Sequence, residues 1–164
     1  MLSLTRIKPF GIAFAFAVMC AAGWVWALNG DFGACVTGST DKSLQNTVAA
    51  LDSTIDLGIK LAIALIGAGG ALLFGLKAGV TMSINGKVSL LFAILLLGQS
   101  VLAGIFWKMQ VAEDWLNKCL NLVQEDVMQR LFLASFYFFL AGLATLVFMM
   151  SATILASSQG RTPS

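Results

Sequence analysis

Four apolar stretches, each long enough to cross a lipid bilayer as a helix, run through this chain and constrain it more than any other feature. A spanning helix needs about 20 predominantly apolar residues to cover a hydrocarbon core of roughly 30 Å. It must be a helix or part of a closed barrel, because lipid offers no partner to an unpaired backbone group. The stretches run from Pro9 to Leu28, Leu57 to Leu76, Val88 to Trp107 and Leu131 to Ala156, and none holds an internal proline. Only residues 77–87 separate the second from the third. That segment ends in Asn85-Gly86, a pair that favours turns because both residues tolerate positive φ. The second and third spans are therefore expected to form an antiparallel hairpin.

Composition supports this reading. Of 164 residues, 59% are hydrophobic and 11% charged, against about 25% charged in soluble domains. The net charge of +2 is small and dispersed, unlike the clustered Lys and Arg of nucleic-acid-binding proteins, so no nucleic-acid partner is expected. The chain has no histidine, which removes the commonest general base and the usual haem and zinc ligand. No catalytic, cofactor or metal constellation is discernible, and a non-enzymatic role is expected.

Charge sets the expected orientation, because Lys and Arg near span ends are retained in the cytoplasm. One side carries Arg6, Lys8, Lys77, Lys87 and Arg161 and no acid. The other carries all eight carboxylates: Asp31, Asp41, Asp52, Asp56, Glu113, Asp114, Glu125 and Asp126, with Lys42, Lys60, Lys108, Lys118 and Arg130. The purely basic N-terminus and hairpin loop place both termini in the cytoplasm, in a bacterial inner membrane or a eukaryotic plasma membrane. Trp24, Trp26, Trp107 and Trp115 fall near the outer interface, where indoles settle. The first stretch also reads as a secretory signal, with a basic start and Val25-Trp26-Ala27 as a small-residue cleavage site after residue 27. Its apolar run is longer than the usual signal core, which favours retention.

The expected architecture is all-α: a single polytopic membrane domain, a four-transmembrane-helix bundle with an additional amphipathic extracytoplasmic helix. The outer loop and helix occupy 29–56, the inner turn 77–87, the amphipathic helix 108–130 and the cytoplasmic tail 157–164. In the first outer segment Leu44, Val48, Leu51 and Ile55 share one helical face. Ser39 or Thr40 can cap that helix, which should run on into the second span with Asp56 and Lys60 paired one turn apart. In the second, Ala112, Trp115, Leu116, Cys119, Leu120, Val123 and Val127 form a stripe opposite Glu113, Asp114, Lys118 and Glu125. The polar face is poor in Lys and Arg, so the stripe suits a protein contact better than anionic lipid. Trp115, Leu116, Leu120 and Val123 are its expected partner-binding residues. Asp114 with Lys118, and Asp126 with Arg130, are spaced for ion pairs on a solvated face.

Cys35 and Cys119 both fall on the outer side, where an oxidising compartment would allow a disulfide between the two loops. Cys20, in the first span, reads as a small apolar residue. Gly67, Gly70, Ala71, Gly75 and Gly79 place small residues on the second span at spacings that let helix backbones approach closely, within this chain or between chains. Gln99 and Ser100 lie near the middle of the third span, where an unpaired amide is costly and seeks a partner helix.

Residues 44–107 resemble, in composition, the conjugative pilins: an amphipathic lead-in and two Gly/Ala-rich spans joined by a short basic cytoplasmic loop. The likeness carries no specific motif, and the added outer helix and fourth span depart from it. The leading expectation is a non-catalytic membrane subunit that assembles through helix packing into a larger complex, with membrane lipid and other membrane-protein subunits or further copies of itself as partners. The alternatives are an oligomeric channel or transport subunit with Gln99 at its constriction, or a pilin-like secretion or conjugation component with a cleaved signal.

Overall fold

A computed structural model describes the backbone of residues 9–30, 42–74, 84–117 and 126–159, and side chains at 16–30, 42–74, 86–117 and 126–151. Over these residues the chain is helical: α1 (Pro9–Leu28), α2 (Lys42–Leu73), α3 (Ile84–Leu116) and α4 (Asp126–Gln159). Three helices are long and apolar enough to cross a membrane: Lys42–Leu73, Gly86–Leu116 and Asp126–Ser151. Pro9 opens α1 at the position where its missing N–H costs nothing.

The helices outrun the apolar stretches that predict them. α2, α3 and α4 have 32, 33 and 34 residues, or about 50 Å each at 1.5 Å per residue, against a hydrocarbon core of roughly 30 Å. The excess gathers at one end of the bundle, where α2 carries Asp52 and Asp56, α3 carries Lys108 to Asp114 and α4 carries Asp126 and Arg130. Leu44 to Ile55 is continuous with the second span, as its periodicity predicts. The segment 108–130 is different. Residues 108–116 continue α3 with no Gly or Pro to stop them, and 126–130 form the first turn of α4, where Asp126 suits the positive end of the helix dipole. Residues 118–125 lie outside the described part. Asn85-Gly86, expected in the hairpin turn, falls in the first turn of α3, where backbone N–H groups lack intrahelical partners in any case.

The core follows a seven-residue spacing. On α3 it runs through Leu90, Ala93, Leu97, Ser100, Gly104, Trp107 and Asp114, on α4 through Met128, Ser135, Gly142 and Met149, and on α2 through Ile55, Ala62 and Gly69. Alternating steps of three and four residues are those of helices that pack along a shared seam. Glycines set the closest approaches. A Cβ at Gly142 would stand 2.8 Å from Leu97 Cγ, at Gly104 3.2 Å from Ile59, and at Gly69 3.3 Å from Leu90 and Ile94. The pair α3–α4 makes the most extensive contact, with α2 packed mainly on α3 and α1 mainly on α4.

Candidate functional site

Two groups of polar residues in this apolar chain are candidates for function: those inside the bundle and those at its charged end. Inside, Gln99 and Ser100 bond to different helices. Trp24 Nε1 on α1 donates to Gln99 Oε1 at 2.6 Å. Ser100 Oγ donates to the Ser135 carbonyl at 2.8 Å, and Ser135 Oγ donates back to the Ser100 carbonyl at 3.0 Å. Gln99 thus ties α3 to α1, and Ser100 ties α3 to α4. Ser135 escaped sequence reasoning, and Trp24, expected at the outer interface, was not expected to pair with Gln99. The usable signal was that an indole N–H and a hydroxyl inside apolar runs must each find an acceptor. Thr145 and Ser151 bond back to their own helix, at Ala141 O (2.8 Å) and Val147 O (2.9 Å).

At the charged end, Lys108 Nζ on α3 lies 2.7 Å from Asp56 and 2.9 Å from Asp52, both on α2, and Lys60 Nζ lies 3.2 Å from Asp56. The hydrogen bonds it accepts from Lys108 and Lys60 hold the Asp56 carboxyl below its ordinary pKa, and those that Lys108 donates to Asp56 and Asp52 raise the pKa of the ammonium. The expected pairs Asp56–Lys60 and Asp126–Arg130 are both present, the latter at 2.6 Å. Arg130 does more than pair: its Nη1 donates to the Trp26 carbonyl at 3.2 Å, and its guanidinium lies 5.5 Å from the Trp26 ring centroid. An arginine on α4 therefore satisfies a carbonyl in the last turn of α1, one of the four such groups that a helix leaves unpaired.

Asp114 does not sit on a solvated face. It is 7% exposed, its Oδ1 accepts a long 3.5 Å bond from Gln110, and among the described residues its Oδ2 has no hydrogen-bond partner; Lys118, expected to pair with it, lies outside them. Burial pushes its pKa up, and Glu113 adds to the effect. The error comes from the period used. A 3.6-residue wheel over an isolated segment puts Asp114 outside, but the seam continues from Trp107 by seven and turns it inward. Trp107, expected at the interface, is buried at 3% exposure with its ring edge-on to Phe132 at 6.2 Å. Trp115 and Leu116 point away from the bundle. They are exposed, as a partner-binding face requires, while Leu120 and Val123 lie outside the described residues.

Part of the small-residue stripe of α2 is open among the described residues. A Cβ added at Gly67 or Gly70 meets nothing within 4 Å, and Ala71 is half-buried. Among the described residues the glycines that pack closely on another helix include Gly69, Gly104 and Gly142, with Gly23 against Phe138 and Gly30 against Val127, and none of them belongs to the four-residue spacing of the stripe. Gly75 and Gly79, like Cys35 and Cys119, fall outside the described residues, while Cys20 is a free, half-buried thiol in α1. Among the described residues no three His, Cys, Asp or Glu side chains converge as metal ligands. No protein-family model, curated protein or solved structure matches this chain.

Proposed function

We propose that this chain is a non-catalytic integral membrane subunit that assembles with other membrane-spanning chains or with copies of itself. The observation that carries the reading is the open face of α2 at Gly67 and Gly70. In lipid, apolar surface gains little from association, so helices meet where small residues let backbones come close. Among the described residues the intramolecular approaches use other glycines, which leaves this face available to a helix from outside. The exposed Trp115 and Leu116 offer a second contact at the charged end.

The proposal includes four spans, with the charged end extracytoplasmic and both termini in the cytoplasm. Retention of α1 is supported by Ala27, which is 1% exposed, by the Arg130 bond to the Trp26 carbonyl, and by Gly30, where an added Cβ would come within 2.7 Å of Val127. The signal-like Val25-Trp26-Ala27 is thus helical, with Ala27 buried and the Trp26 carbonyl bonded, whereas a signal peptidase needs an accessible, extended backbone.

Assembly is tested with the full chain in mild detergent, by measuring mass with light scattering and by cross-linking in the native membrane. The expected result is an oligomer or co-purified complex that Gly67→Leu and Gly70→Leu dissociate while helix content and thermal unfolding stay unchanged. A stable monomer with no cross-linked neighbour in the membrane overturns the reading. Intact mass of the purified chain then decides retention, with 17.4 kDa expected for the uncleaved protein.

A further inference from the structure

The half of α2 nearest the charged end is held differently from the rest of the helix. Towards Leu73, α2 lies directly on α3, with Ala62 buried and Gly69 against Leu90 and Ile94. At Gly104 of α3 the side chains of Ile55 and Ile59 come so close that an added Cβ would stand 3.2–3.3 Å from them. Beyond Ile55 the apolar contact opens. Leu51 still packs against the core, but together with Val48 it also lines a partly open groove of about 280 Å³ with Trp107 and Val111 of α3 and Met128 and Phe132 of α4. Side chains that border an open groove lack partner atoms on that side, so this part of α2 gains less from packing than its length allows.

Lys108 links this half of α2 to α3. Its ammonium sits between Asp52 and Asp56, one turn apart on α2, at 2.9 and 2.7 Å. Of the further ion pairs described at this end, Asp56–Lys60 lies within α2, and Asp126–Arg130 is turned towards α1 through the Trp26 carbonyl. We propose that residues 42–56 of α2 form a strap held along this groove by the Lys108 bridges, and that releasing those bridges frees the strap and widens the groove while the rest of the bundle stays folded. The hinge is the Gly104 contact, below which α2 is anchored by Ala62 and Gly69. The bridging side chains are between 31% and 48% exposed, so added salt reaches and weakens them. The strap does not depend on the assembly role proposed above.

Hydrogen exchange of the full-length protein in detergent, followed by mass spectrometry, tests this. In Lys108→Met, amides of 42–56 are expected to exchange about three- to tenfold faster, with 60–73, α3 and α4 unchanged. Lys108→Arg should keep the parent's pattern, and moderate salt should move the parent towards the Met variant. If Lys108→Met does not accumulate, Asp52→Asn and Asp56→Asn each leave one bridge and should give a smaller, equally local rise. No change at 42–56, or a uniform rise across all helices, overturns the proposal.

Discussion

Trp24 on α1 and Gln99 on α3 meet side chain to side chain, the indole N–H donating to the amide oxygen at 2.6 Å. The Trp24 ring also stands edge-on to Phe106 at 5.4 Å. One α1 residue therefore makes both a polar and an aromatic contact to α3. Polar links between helices in lipid are worth about 0.6–2 kcal/mol. Gln99→Leu, which strands the indole N–H, is expected to cost more than Trp24→Phe with Gln99→Leu combined, once the loss from Trp24→Phe alone is subtracted. Unfolding of the four proteins of this cycle in SDS, giving a favourable coupling, would confirm the bond.

Gly142 and Gly67 should respond oppositely to the same substitution. At Gly142 a methyl group would strike Leu97 Cγ at 2.8 Å and approach the Ala93 carbonyl at 3.3 Å, so Gly142→Ala should destabilise the bundle by about 1–3 kcal/mol. At Gly67 there is open space, and Gly67→Ala should be neutral or stabilising by up to about 1 kcal/mol through helix propensity. Thermal unfolding in detergent distinguishes the two sites.

Asp114 gives a pH dependence of definite sign. Burial raises its pKa in the folded chain, so the native state holds the proton more tightly than the unfolded one. Its contribution to stability is then greatest below the unfolded carboxylate pKa and is lost as pH rises through the raised folded value. Asp114→Asn should remove that loss, leaving the variant more stable than the parent at neutral pH by about 1 kcal/mol and nearly equal to it in acid. Parallel unfolding of both proteins across the acidic range measures the difference.

Arg130→Met should loosen α1. The substitution removes the bond to the Trp26 carbonyl and the guanidinium beside the Trp26 ring, while the methionine stem keeps much of the apolar contact. The expected cost is about 1–2 kcal/mol, concentrated in α1. Faster amide exchange over residues 16–28, with α3 and α4 unaffected, is the expected readout.

The apolar stretches by themselves determined the all-helical class, the positions of the long helices and the local pairs Asp56–Lys60 and Asp126–Arg130. Each depends on residues within a turn of one another or on the length needed to satisfy a backbone in lipid. Tertiary structure decided what depends on which helix lies alongside. Asp114 is polar on any helical wheel, yet the seam through Trp107 turns it inward. Gly67 and Gly69 are two residues apart on one helix, and only the position of α3 makes Gly69 a contact and leaves Gly67 open. Lys108 has local acids in Glu113 and Asp114 but bonds to Asp52 and Asp56 on α2, because the Gly104 notch brings that helix within reach. Periodicity reports which face of a helix is apolar, whereas the identity of the neighbour is set by how the glycines and the few polar side chains of four helices fit together.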